Sequence, residues 1–140
     1  MRVMVLVKAT EESESGRMPN RDELNEMGKF NEQLVKAGVM LMGEGLSSSK
    51  DGKRVRFEAD KKPVVIDGPF TETKELVAGF WIWEVASLEE AAEWLKRAPF
   101  QDAEVEIRRV SQPEDFGDAF TPEMQAHEEQ LRAEAASRIQ

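Results

Sequence analysis

Apolar residues run without interruption through Val3, Met4, Val5, Leu6 and Val7. A strand that is apolar on both faces is buried on both faces. A second segment of this kind is Phe80-Trp81-Ile82-Trp83-Glu84-Val85, the strongest strand pattern in the chain. Phe80 and Ile82 fall on one face, and Trp81, Trp83 and Val85 on the other. Between and after these two strands the period changes. Leu24, Met27, Phe30, Leu34 and Ala37 recur at helical spacing, with Asn20 and Glu23 as a capping pair and Gly38 as the stop. Ser87 and Glu90 open a second helix, whose buried stripe is Leu88, Ala91, Ala92 and Leu95 and whose stop is Pro99.

The remaining segments fill in the order. Ala9 to Pro19 is polar and reads as a loop. Val39 to Leu46 reads as a strand, and Gly43 and Gly45 within it signal a bulge or a close backbone approach. Asp51-Gly52 is a hairpin signal, and Lys53 to Glu58 reads as the return strand. Pro63 to Asp67 is a short strand, and residues 104–110 make the last one.

The order is β-α-β-β-(β)-β-α-β, an α+β, ferredoxin-like plan with an extra hairpin. Its two helices pack on one face of the sheet. Two strands are nevertheless apolar on both faces, so a second sheet is needed. A second copy of the chain supplies it, and the expected assembly is a homodimeric α+β barrel.

After residue 110 the composition shifts. Residues 111–140 hold seven acids against Arg132 and Arg138, out of a net charge of −9 for the chain. The expected division is an α+β domain over 1–110 and an acidic loop with a C-terminal helix over 111–140. Thr121-Pro122 opens that helix, which packs on the domain or on the dimer partner through Phe116, Phe120, Met124 and Leu131. The acidic balance argues against nucleic acid as a partner. No apolar run is long enough to span a membrane. The absence of cysteine excludes thiolate chemistry and suits a cytoplasmic location.

The densest stretch is Asp67-Gly68-Pro69-Phe70-Thr71-Glu72-Thr73-Lys74-Glu75, followed by Ala78-Gly79-Phe80-Trp81-Ile82-Trp83. These residues resemble the signature of the YCII-related family, DGPF subgroup. Ala37-Gly38-Val39, Gly43-Glu44-Gly45-Leu46, Lys96-Arg97-Ala98-Pro99 and Glu106-Ile107-Arg108 agree with it, as does the tail around Pro113-Glu114-Asp115-Phe116-Gly117. The resemblance implies a dimeric α+β barrel, and implies a fold more strongly than a reaction. Short founding members pair a His near the start of the first helix with an Asp before the Pro that ends the second. Here the first helix holds no His, the residue before Pro99 is Ala98, and the single His is His127 in the tail. A His–Asp mechanism does not carry over.

Carboxylates remain. Glu44, Asp67 and Glu72 are the candidate catalytic acids or bases, because a carboxylate in an apolar cleft titrates late and can transfer protons. Lys74, Glu75, Phe70, Trp81 and Trp83 are the candidate ligand contacts. The structural alternatives are equally concrete: an Asx turn at Asp67, Phe70 as a plug, Lys74 paired with a neighbouring acid, and Trp81 and Trp83 packing sheet against sheet. Hard oxygen ligands alone make a metal site the weaker reading, and no phosphate or dinucleotide fingerprint is present, so no cofactor is expected. Three function classes stay open: a small-molecule binder with its cleft beside the Asp67–Glu75 loop, an enzyme using carboxylate acid–base chemistry, and a protein-interaction module.

Overall fold

A computed structural model of the protein describes residues 1–139. The chain forms two compact units, Met1–Arg109 and Val110–Gln140. In the first, the elements are β1 (Arg2–Lys8), α1 (Glu11–Glu14), α2 (Arg21–Lys36), β2 (Met40–Gly45), β3 (Lys53–Arg56), β4 (Val64–Asp67), β5 (Val77–Glu84), α3 (Leu88–Leu95) and β6 (Val105–Arg109). Four strands make an antiparallel sheet in the order β2-β5-β1-β6. That is the ferredoxin-like arrangement, in which β5 lies between β1 and β2.

The two strands with no polar interruption, β1 and β5, are the two central ones. Their inner face carries Val3, Val5, Trp81 and Trp83, all buried. Phe30 and Leu34 of α2 and Ala91 of α3 close the core over them. Phe30 meets both indoles edge-on, with ring centroids 5.8 Å from Trp81 and 6.3 Å from Trp83. Such pairs contribute about 0.5–1.5 kcal/mol each beyond area burial. Trp81 and Trp83 therefore pack sheet against helix. The alternative of sheet-to-sheet packing is corrected, because strand alternation puts them on the face that α2 and α3 cover. The opposite face carries Met4, Leu6, Phe80 and Ile82, each half-buried in the single chain.

The helix caps form as the sequence predicts. The Glu23 N–H donates to Asn20 Oδ1 at 2.9 Å, and the Glu90 N–H donates to Ser87 Oγ at 3.1 Å. Leu24 and Leu88, assigned to the buried stripes, are instead mainly exposed. Each sits in the first turn of its helix. The polar Ala9–Pro19 stretch contains the short helix α1, which a Thr10–Ser13 capping box starts.

The hairpin also differs from expectation. β3 pairs with β4, from Lys53↔Asp67 to Arg56↔Val64, and bonds to no strand of the main sheet. β2 pairs with β5 instead of turning back onto β3. A 3-10 turn at Ser49–Asp51 occupies the place where a tight β-turn was expected, and it redirects the chain. Of the two readings of Gly43 and Gly45, close approach holds at Gly43, and the register shift in β2 lies elsewhere, between Met40 and Met42.

The second unit holds a 3-10 segment, Pro113–Ala119, and α4, Pro122–Ala136. Phe116 and Phe120 are in ring contact at 5.9 Å. Thr121 caps α4 through the Met124 N–H at 3.2 Å. Among the described residues no helix is long and apolar enough to cross a membrane.

Candidate functional site

A cleft of about 290 Å³ opens between α2 and the end of the sheet formed by β2 and β5. Its origin is a missing set of side chains. On the inner face, Gly45 stands opposite Gly79 in the β2–β5 ladder, and Gly43 stands opposite Trp81. A Cβ at Gly43 would meet Trp81 Cδ1 at 2.7 Å, so the glycine lets the indole lie across β2. A Cβ at Gly45 would meet nothing within 4 Å. The glycines thus leave a bare backbone floor, and Val7, Met27, Trp81 and Phe100 stand around it. Trp81 and Phe100 are themselves in edge contact at 6.1 Å.

One polar side chain, Asn31, stands on this apolar lining; Glu44 lines it with backbone, because it pairs with Phe80 and its exposed side chain belongs to the outer sheet face. The Trp81 indole N–H donates to Asn31 Oδ1 at 2.9 Å. Asn31 is half-buried, and it falls inside the apolar stripe of α2, at helical spacing between Met27, Phe30 and Leu34. Behind it, Trp83 is fully buried and its Nε1 has no hydrogen-bond partner. Such an orphan donor costs on the order of 1–3 kcal/mol.

The Asp67–Glu75 loop is a second constellation, tied down by polar contacts. Asp67 is salt-bridged to Lys53 across the hairpin. The Gly68 N–H donates to the Gly52 carbonyl at 3.0 Å. A Cβ at Gly68 would come 1.7 Å from the Ser49 carbonyl oxygen, so only glycine fits. The Ser49 N–H and hydroxyl both donate to the Glu14 carboxylate, and Ser49 Oγ accepts the Phe70 N–H at 3.0 Å. The Phe70 ring carries the Arg54 guanidinium 3.9 Å from its centroid.

Glu72 and Glu75 face each other at the 3-10 turn Thr73–Glu75. A hydrogen bond with Glu72, and then its like charge, push the Glu75 carboxyl above its ordinary range, while Arg54 pulls it back. Lys74 is exposed and makes no ion pair among the described residues.

The candidate residues therefore fall into separate groups. Trp81 lines the cleft with its ring and Glu44 only with its backbone, and Trp83 is packed against Trp81 at 5.6 Å. Asp67 pairs within the hairpin, and Glu72 with Glu75 in the turn. Among the described residues no three acidic or histidine side chains come together in a group fit for a metal ion. Sequence reasoning passed over Asn31, Phe100, Glu14 and Ser49. Asn31 had a signal, as the polar position in an apolar stripe. Glu14 and Ser49 had none, since they meet across 35 residues.

The family model of the YCII-related domain matches residues 1–114. The chain belongs to the YCII-related family. The matched stretch contains every element from β1 to β6, and so both the cleft and the Asp67–Glu75 loop of this YCII-related chain. A search of curated proteins finds no match. Among solved structures, the 5-chloro-2-hydroxyhydroquinone dehydrochlorinase TftG from Burkholderia phenoliruptrix AC1100, in complex with 2,5-dihydroxybenzoquinone, is similar at 19% identity. The match covers 80% of this chain and 95% of that one, with a TM-score of 0.46.

Proposed function

We propose that this YCII-related protein, of the DGPF subgroup, is a homodimer that binds a small molecule in the cleft between α2 and the β2–β5 ladder. The supporting observation is the glycine floor. A side chain at position 45 would enter that space freely, and the glycines at 43 and 79 keep the adjoining backbone bare, whereas a core built for stability alone is filled. Apolar walls with a few placed polar groups are the usual make-up of a small-molecule site. The Asp67–Glu75 loop sits just before Val77, where β5 begins, and so anchors the strand that carries Gly79 and Trp81. Its role in this reading is to hold the strand.

The dimer rests on the outer sheet face. Met4, Leu6, Phe80 and Ile82 lie on the two central strands, on the side away from α2 and α3. A second copy brings the same face to cover them.

The test is a thermal-shift screen of metabolites against the parent and Gly45→Leu. A compound that raises the parent's melting temperature and leaves Gly45→Leu unmoved supports the cleft. If every stabilising compound acts equally on both proteins, the cleft is not its site and the proposal fails.

A further inference from the structure

The cleft's polar side chain, Asn31, also says what kind of molecule it takes. We infer that the Asn31 carboxamide is the specificity anchor of the cleft, and that it selects an uncharged ligand with a flat apolar body and a carbonyl oxygen. This rests on the cleft being a ligand site.

An asparagine amide can present either its oxygen or its nitrogen to a partner. Here the choice is made by Trp81. Its indole N–H is a donor only, and it is bonded to Asn31 Oδ1 at 2.9 Å. One of the oxygen's two lone pairs is thereby taken by the indole, while both amide hydrogens stay unused by the described residues. The Nδ2 group donates to no protein atom among the described residues, and it is not enclosed in the core. What Asn31 offers at the cleft wall is therefore a hydrogen-bond donor, which an acceptor oxygen satisfies.

Charge narrows the class. Among the described residues no lysine or arginine is on the lining, and the Glu44 side chain lies on the outer face, opposite Phe80 in the ladder. An anion would find no counter-ion there, at a cost in an apolar setting. A neutral carbonyl oxygen accepts from Nδ2 without that cost. Shape narrows it further. The floor at Gly43, Gly45 and Gly79 is bare backbone, and the walls include the Trp81 and Phe100 rings. A flat body fits over that floor, against those rings. An apolar cavity of roughly 150 Å³ accepts benzene, so about 290 Å³ accommodates a substituted ring.

The test uses three compounds of nearly one shape: acetophenone, ethylbenzene and benzoate. Each is titrated into the full protein while the Trp81 indole N–H resonance, assigned with Trp81→Phe, is followed by NMR. Acetophenone is expected to bind several-fold more tightly than either other compound, on the order of 5-fold for one added hydrogen bond. In Asn31→Asp the oxygen that takes the indole bond is kept and the donor is lost. There acetophenone should fall to the level of ethylbenzene, while ethylbenzene itself is unchanged. Equal binding of acetophenone and ethylbenzene by the parent overturns the anchor and leaves the cleft standing, and this comparison does not depend on the variant folding. An acetophenone preference that survives Asn31→Asp also overturns it. If no compound moves the Trp81 resonance, the cleft reading falls and the anchor with it.

Discussion

Gly45 and Gly79 face each other across the β2–β5 ladder, on the side of the sheet that α2 covers. Everywhere else on that face of the central strands a valine or a tryptophan fills the space. The hollow is thus a property of two positions, and each can be changed by itself. Gly45→Leu places a side chain where a Cβ meets nothing within 4 Å. Its backbone φ is not positive, and because Gly45 ends β2 the gain from replacing a strand glycine is at most about 0.5 kcal/mol. The expected outcome is unchanged or slightly raised stability in denaturant melts, with all cleft binding lost. Gly79→Ala behaves differently, because its Cβ would lie 3.1 Å from the Glu44 carbonyl oxygen. It should destabilise, by about 1 kcal/mol.

Gly68→Ala should be among the most damaging single changes outside the core. The Ser49 carbonyl lies 1.7 Å from the required Cβ position, and backbone cannot swing aside as a side chain can. A loss of about 2–4 kcal/mol is expected. Amide exchange should rise at Gly68 and Phe70, whose N–H groups are held by Gly52 and Ser49.

Glu14→Ala removes the carboxylate that accepts both the N–H and the hydroxyl of Ser49. The cost should be about 1–3 kcal/mol, as for a charged acceptor withdrawn from partly buried donors. Glu14→Gln should recover part of it. The check is urea unfolding of the two variants beside the parent.

The Glu75 carboxyl binds its proton more tightly in the folded chain than in the unfolded one, because Glu72 shares a hydrogen bond with it and repels its charge. Its contribution to stability is therefore present below the unfolded pKa and is lost as pH rises through the folded value. Glu72→Gln should bring the Glu75 midpoint down in a carboxyl NMR titration. Arg54→Ala should move it further up, since Arg54 opposes the shift.

Ile82→Glu puts a charge in the centre of the outer sheet face, beside Met4 in the β1–β5 ladder. Light scattering should give a dimer mass for the parent and a monomer mass for the variant. A monomeric parent would remove the proposed assembly.

Much of the fold was legible because periodicity carries it. The uninterrupted apolar runs at Val3–Val7 and Phe80–Val85 became the two central strands. Asn20 and Ser87 capped the helices that follow them. Pairing was less legible. Asp51-Gly52 looks like a hairpin turn, but Gly68 packs against Ser49 and draws β4 onto β3, a contact between distant positions. The cleft was half visible. Glycines in β2 signalled close approach, yet only register shows that Gly79 faces Gly45. Asn31 was hidden because an apolar stripe was read for its apolar members alone. The dense charges of Asp67–Glu75 drew attention toward chemistry, and the structure spends Asp67 on Lys53 and Glu72 on Glu75.

The β3–β4 hairpin shares no ladder with the main sheet, and a single backbone bond from Gly68 to Gly52 closes its base. Anything inserted or deleted at its tip, residues 57–63, changes the reach of the hairpin without shifting the register of a core strand. That tip is where this chain can accept foreign sequence, an epitope or a linker to another protein, and still deliver Gly45 and Gly79 to the same place.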